Sequence, residues 1–154
     1  MTATVKIDAF NGLQDILAHG YTRNPNAEVF LRLSGNKIQV GSYNGSNHYT
    51  ESTLSNDDLG QWITFTGTYD GTNWNLYKDG VLIASSASSV GAVTVNADWV
   101  IGASAQNDRF FDGDIKDVAI WDSALSAEEI QLYRQYGACQ YAILNKSTDR
   151  KSVV

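Results

Sequence analysis

Two aspartates on one predicted strand are the first candidates for chemistry. Asp112 and Asp114 are two positions apart, and no other carboxylates on a predicted strand form a comparable pair. A retaining glycosidase places an acid and a nucleophilic carboxylate roughly 5 Å apart across the scissile bond. No glutamate-rich pattern accompanies the pair, and neither His19 nor His48 lies in a motif of a serine or cysteine triad. We therefore predict no catalytic residues.

A polar loop before that strand could hold a metal ion. The segment AQNDRFFD offers side-chain oxygens from Gln106, Asn107, Asp108 and Asp112. Calcium takes roughly six to eight oxygen ligands, including backbone carbonyls. Asn and Asp are also ordinary turn residues. We predict calcium at this loop, and a plain solvated loop remains the open alternative.

The segment YNGSNHY carries residue types suited to a sugar. A sugar site needs an aromatic ring for the apolar face of a pyranose and polar groups for its hydroxyls. The predicted ligand residues are Tyr43, Asn44, Asn47, His48 and Tyr49. The same types are common in turns and at strand ends, which is the open alternative. The four tryptophans lie in or beside predicted strands, so we expect them in the core: Trp62, Trp74, Trp99 and Trp121.

Composition excludes several classes of protein. The 154 residues suit one domain, and a net charge of -6 with 11 unclustered basic residues does not suit nucleic acid or an anionic membrane surface. Cys139 is the only cysteine, so neither an internal disulfide nor a cysteine-based zinc site is expected. No apolar run is long enough to span a membrane, and the chain does not open with a signal peptide. We accordingly expect no membrane insertion, and as written the chain enters no export pathway.

Short alternating strands predict an all-β fold. Residues 62–69 alternate strictly, and Asp79 with Gly80 can supply the two positive φ angles of a tight hairpin. About ten such strands joined by turns predict a two-sheet antiparallel jelly-roll sandwich. The strand from Phe110 changes its apolar phase, so it is either buried on both faces or shifted by a bulge near Lys116 and Asp117, and either case predicts a central place in a sheet.

One helix follows this strand. Ser126 and Glu129 have the spacing of a capping box, and Leu125 and Ile130 that of a hydrophobic staple around it. Gly137 follows where a helix commonly ends, so about three turns are expected. A short amphipathic helix of this kind must pack on something larger.

Three segments in this order resemble the laminin G-like and pentraxin-like branch of the concanavalin A-like lectin/glucanase superfamily. They are WITFTGTYDGTNWNLYKDGVLIA, WVIGAS and FDGDIKDVAIWDSALSAEEIQLY. Weaker matches extend the resemblance over most of residues 2–136. It implies two curved antiparallel sheets and a role in binding glycans or proteins, often through calcium at the rim. The resemblance also places the loop of Asp108 at the relatives' metal loop, with Asn26 in a partner loop that lacks a carboxylate.

Relatives usually carry one more strand before the segment TATVKID, so an open sheet edge is expected here. The predicted division is a sandwich over residues 1–137 and a tail over 138–154, whose Tyr141, Ile143 and Leu144 could add an edge strand. A second chain could cover the edge instead, as a homodimer.

We expect a non-catalytic, lectin-like domain that binds an oligosaccharide or glycoprotein, with calcium as an optional aid. A protein-interaction or assembly module of the same fold is the alternative, and a glycoside hydrolase is third. The compartment is not predicted, although relatives are usually extracellular.

Overall fold

Among the described residues, ten antiparallel strands form two five-stranded sheets, and one α-helix follows them. The computed structural model describes residues 1–23 and 26–146, with the backbone alone for 21–23, 138–140 and 142–146. The elements are β1 Thr2–Ile7, β2 Leu13–Arg23, β3 Asn26–Ser34, β4 Lys37–Tyr43, β5 Asn47–Thr53, β6 Trp62–Tyr69, β7 Asn73–Lys78, β8 Val81–Ala87, β9 Trp99–Ile101, β10 Gly113–Ala119 and α1 Ala127–Lys146. Sheet A has the order β10-β1-β6-β7-β8, and sheet B has the order β5-β4-β3-β2-β9. The predicted sandwich with one C-terminal helix is confirmed.

The core lies between the inner faces of the two sheets. Alternation along β1 and β6 directs Val5, Ile7, Ile63 and Phe65 inward, where they are at most 3% exposed. Gly67 allows the sheets to approach closely, because a Cβ atom there would lie 2.1 Å from Val40 Cγ2 of the facing sheet. Burial of this continuous apolar layer is the main force that holds the sandwich together.

Strand positions differ from the prediction in two respects. β1 pairs with β6 and with β10, so it is an inner strand and not an open edge. β10 is an edge strand of sheet A and not a central one, although the predicted bulge is present, with Asp117 at φ 50°.

Local signals in the helix and hairpin are confirmed. Ser126 Oγ accepts from the Glu129 amide, and the Ser126 amide donates to the Glu129 carboxylate. Asp79 and Gly80 have φ angles of 49° and 78°. Gly137 departs from helical geometry, with φ 71°, and divides α1 at the predicted end.

The chain resumes helical geometry after Gly137, so residues 138–146 do not form the added edge strand that the sequence suggested. Tyr141 instead packs edge-on against Trp121 and Tyr133, with ring centroids 6.2 and 5.8 Å away. The domain division at residue 137 stays a prediction, and residues 147–154 lie outside the described residues. No helix in the described ranges is long and apolar enough to cross a membrane.

Candidate functional site

The outer face of sheet B carries buried charges. Along β3, Val29 and Leu31 face the core, whereas Glu28, Phe30 and Arg32 take the opposite phase. Glu28 is nevertheless only 2% exposed and Arg32 only 8%. Charged residues are almost never this buried unless they are paired. This face therefore contains an organised polar network.

Glu28 is the centre of that network. Arg109 Nη1 donates to its two carboxylate oxygens at 3.0 and 3.2 Å, and Arg32 Nη1 donates at 3.1 Å. Arg32 Nε donates to Gln39 Oε1 at 2.9 Å, and the Gln39 amide donates to Glu51 at 2.7 Å. The chain of bonds crosses three neighbouring strands, which fixes each side chain through its neighbours.

Two aromatic rings lie beside this charged network. The Arg32 guanidinium lies 3.7 Å from the centroid of the Phe30 ring, a cation–π arrangement. Tyr49 of β5 reaches toward the same ring, with centroids 6.4 Å apart. Gly41 is the cross-strand neighbour of both aromatics, and a Cβ atom there would lie 2.4 Å from Tyr49 Cβ. The missing side chain leaves the two rings room to approach.

Asp15 is a buried carboxylate beside this network, in surroundings that disfavour its charged form. It is fully buried, it pairs in register with Arg32, and its two oxygens accept no hydrogen bond from the described residues. Arg109 Nη1 is 3.7 Å from Oδ2. Burial and the negative charge of Glu28 raise the pKa of Asp15 to about 7, against the opposing effect of the two arginines. Its charge therefore changes near neutral pH.

An open cleft of about 320 Å³ lies at one end of this face. We call it the outer-face cleft, and its lining residues are Leu13, Asn26, Glu28, Arg32, Tyr43, Asn47 and Arg109. Tyr43 ends β4 and pairs with Asn47 at the start of β5, so the hairpin presents an aromatic ring beside an amide. Guanidinium donors, a carboxylate and amides thus converge within one small concavity. Such a set can hydrogen-bond the hydroxyl or acidic groups of a polar ligand.

The structure separates the five predicted ligand residues. Tyr43 and Asn47 line the cleft, and Tyr49 lies on the same strand face as Asn47. His48 takes the opposite phase of β5, and its Nε2 lies 3.0 Å from Oδ1 of Asn44. The ligand roles of these residues stay predictions.

The predicted metal ligands are three consecutive loop residues, Gln106, Asn107 and Asp108, together with Asp112 just before β10 and Asn26 at the start of β3. Asn26 lines the outer-face cleft, while Asp108 closes its own loop by accepting a hydrogen bond from Ser104 Oγ. Asp112 accepts from the Asn11 amide at 2.9 Å. Gln106 and Asn107 donate their backbone amides to Ser104 oxygens. The described part of the chain has no group of three or more His, Cys, Asp or Glu side chains suited to a metal. Calcium, which also uses carbonyl and amide oxygens, stays a prediction.

The candidate carboxylate pair is engaged in separate interactions. Asp114 forms an ion pair with Lys6 at 2.8 Å, and Asp112 bonds to Asn11 as above. These contacts join β10 and the residue before it to β1 and the loop after it. They give each carboxylate a structural partner.

Two of the four tryptophans are not core residues. Trp74 is 2% exposed as predicted, whereas Trp62 is 45% exposed and Trp99 is 37% exposed. Trp62 shares its strand face with threonines, and that alternation was the available signal for an outward position. Trp99 stacks on His19 at 4.6 Å and lines a cleft of about 450 Å³ between the layers.

Sequence reasoning missed the charged members of the outer-face cleft, Glu28, Arg32 and Arg109. For Glu28 and Arg32, the sequence signal was the alternation along one strand, which places them on the face opposite to Val29 and Leu31. Arg109 comes from a distant loop, where its φ of 52° turns the chain toward sheet B. Only the folded arrangement brings it within reach of Glu28.

Solved structures share this fold at low sequence identity. A candidate carbohydrate-binding protein of Bacteroides ovatus is 19% identical with a TM-score of 0.67, over 89% of this chain and 40% of that chain. The CBM40 of the Ruminococcus gnavus IT-sialidase, solved with α2,6 sialyllactose, is 14% identical with a TM-score of 0.64, over 85% and 79%. A heptameric SAP-like pentraxin of Limulus polyphemus is 16% identical with a TM-score of 0.59, over 99% and 76%.

No curated protein shows significant sequence similarity to the chain. The laminin G family model of the concanavalin A-like lectin/glucanases superfamily matches residues 1–131, which include both sheets and the outer-face cleft. The chain therefore belongs to the concanavalin A-like lectin/glucanase superfamily.

Proposed function

We propose that this protein is a non-catalytic carbohydrate-binding module and that an oligosaccharide binds in the outer-face cleft. The observation that carries the proposal is the pre-assembled network of Glu28, Arg32 and Arg109 beneath Tyr43 and Asn47. Two of the similar structures support it, one being a candidate carbohydrate-binding protein and the other a module solved with sialyllactose. The chain spans only 40% of the former, so activities of the longer protein are not carried over.

The energetics of the network favour a ligand role over a stabilising one. Removing charges from water is costly, and replacing a buried ion pair by apolar residues is often neutral or stabilising. A sheet face covered by threonines and lysines would avoid that cost. The benefit of the network is a set of donors and acceptors already held in place, so a ligand loses less free energy in ordering them.

The cleft has features that suit a sugar. The Tyr43 ring can contact the apolar face of a pyranose, and the amides of Asn26 and Asn47 can bond its hydroxyls. The guanidinium groups of Arg32 and Arg109 are suited to a carboxylate on an acidic sugar. A shallow cleft buries little of its ligand, so the affinity is expected to be weak.

The proposal includes that the ligand is left intact. Cleavage needs a proton donor and a second carboxylate across the glycosidic bond. Asp112 and Asp114 lie on the β10 side of the fold and are bonded to Asn11 and Lys6. In the outer-face cleft, Glu28 is engaged by two guanidinium groups at once. Neither arrangement resembles an acid and nucleophile facing one bond.

Calorimetric titration with sialyllactose, lactose and neutral glucans tests the proposal. Asn47→Ala and Tyr43→Ala should each weaken binding by about tenfold or more, since each removes a direct contact. Asn56→Ala is the matched control, because this exposed asparagine begins a short 3-10 helix, Asn56–Asp58, and does not line the cleft. Equal affinity of Asn47→Ala and the parent would refute the site. New reducing ends after long incubation would refute the non-catalytic assignment.

A second candidate function is assembly through a sheet edge. β8 is an edge strand, and its first residues Val81 and Leu82 are 61% and 51% exposed. An exposed apolar edge can pair with another chain. Light scattering of the purified protein would show a dimer that Val81→Lys converts to monomer. A parent protein that is already monomeric at high concentration would exclude this candidate.

A further inference from the structure

An exposed tryptophan stands on the outer face of sheet A. Trp62 begins β6, and its neighbours on that face are Lys6 across the strand pair and Thr64 along the strand. Lys116 Nζ lies 4.2 Å from the centroid of its ring and Lys6 Nζ lies 6.0 Å away. Both ammonium groups are within cation–π distance of the indole, which is nearly half exposed. The part of the ring that the lysines leave exposed is an apolar platform in contact with solvent.

This platform borders a cleft of about 440 Å³ between sheet A and α1. We call it the helix-side cleft. Its lining residues are Trp62, Thr64, Asp79, Gln131, Arg134 and Gln135. The residues of α1 come from positions 131, 134 and 135, one face of the helix at i, i+3 and i+4. Two primary amides, one guanidinium and one carboxylate therefore converge beside an exposed indole.

Several of these polar groups are held in position. The Asp79 carboxylate accepts from the Thr64 amide at 3.1 Å, and Arg134 Nε lies 3.8 Å from the same carboxylate. Gln131 Nε2 donates to the Gly80 carbonyl at 2.9 Å. A Cβ atom on Gly80 would lie 2.4 Å from that nitrogen, so the glycine makes room for the amide. The amide is thereby anchored beside the hairpin.

We infer that the helix-side cleft is a second carbohydrate site, for a neutral oligosaccharide. An indole face packs on the C–H face of a pyranose, and amide and guanidinium donors with a carboxylate acceptor match its hydroxyls. The opposite charges of Asp79 and Arg134 pair with each other, and Lys6 beside the indole pairs with Asp114. Lys116 at the edge is then a further cation near a mostly neutral lining. The outer-face cleft and the helix-side cleft lie on different sheets, and the module is bivalent.

The test is a titration of the whole chain with maltotetraose, cellotetraose and mannotetraose, monitored by amide and indole N–H chemical shifts. Trp62→Ala should weaken binding of the preferred tetraose by about tenfold or more, as for an aromatic anchor. Gln135→Ala, which leaves the platform in place, should weaken it less. Leu132→Ala is the control, because this residue is 43% exposed on the same helix but does not line the cleft.

The outcomes separate this inference from the proposed function. Loss in Trp62→Ala with unchanged binding in Asn47→Ala supports the second site and refutes the first for that sugar. Loss in Asn47→Ala alone refutes the second site and leaves the proposed function standing. No binding of any neutral tetraose at millimolar concentration, or equal affinity in Trp62→Ala and the parent, overturns the inference.

Discussion

Replacing Asp15 by Asn should remove a large pH dependence from the stability of the protein. The carboxyl group is fully buried, with an ordinary pKa of 3.8 that rises to about 7 in the folded chain. Between these two values the folded chain holds the proton while the unfolded chain has released it. Stability therefore falls as the pH rises through this window. A change of one in pKa corresponds to about 1.4 kcal/mol, so the total contribution is about 4 kcal/mol.

The assay is urea unfolding of parent and variant at intervals from pH 4 to pH 8. At pH 4 the asparagine resembles the protonated acid, so the two proteins should differ little. The free energy of unfolding of the variant minus that of the parent should be about 4 kcal/mol larger at pH 8 than at pH 4. Groups common to both proteins cancel in this difference. Asp98→Asn, at an exposed position, is the matched control for the substitution itself. A difference that is constant with pH for Asp15→Asn would refute the reasoning.

Three further predictions concern the rim, the helix and the sheet interface. Millimolar calcium should raise the melting temperature of the parent and leave that of Asp108→Ala unchanged. If the melting temperature of the parent does not change, the loop is a solvated surface loop that binds no calcium at this concentration. Tyr141→Ala should lower the free energy of unfolding by about 3–5 kcal/mol, because it removes a buried ring from the cluster with Trp121. Denaturant titration of parent and variant would show whether the end of α1 contributes to the stability of the fold. Gly67→Ala should lower the free energy of unfolding by about 1–3 kcal/mol, since the added methyl group would collide with Val40 of the facing sheet. A melting temperature equal to that of the parent would contradict this close approach of the two sheets.

Features set by neighbouring residues were predictable from the sequence. The capping box of Ser126 and Glu129 and the hairpin at Asp79 and Gly80 depend on contacts within a few positions, and both are present. Sheet order depends on distant pairing. The phase change near Asp117 correctly indicated a bulge, but a bulge also occurs at a sheet edge, where β10 lies.

The candidate site was less predictable, because its members meet only across strands and loops. Tyr43 and Asn47 were visible as one hairpin, but Arg109 reaches Glu28 from 81 positions away. The run after Gly137 suggested a strand on composition. Packing of Tyr141 on Trp121 and Tyr133 favours a helix there, and such tertiary contacts routinely override local preference.

The inner position of β1 determines the order in which the two sheets can be completed during synthesis. β2 to β5 each pair with the strand next to them along the chain, so most of sheet B needs only contacts between consecutive strands. β1 must wait for β6 and then for β10, more than a hundred residues later along the chain. Pairing at such separations is slow because the entropy of loop closure opposes it before the contacts form. Until β10 leaves the ribosome, β1 has one side unpaired, and an unpaired strand edge of this kind favours aggregation.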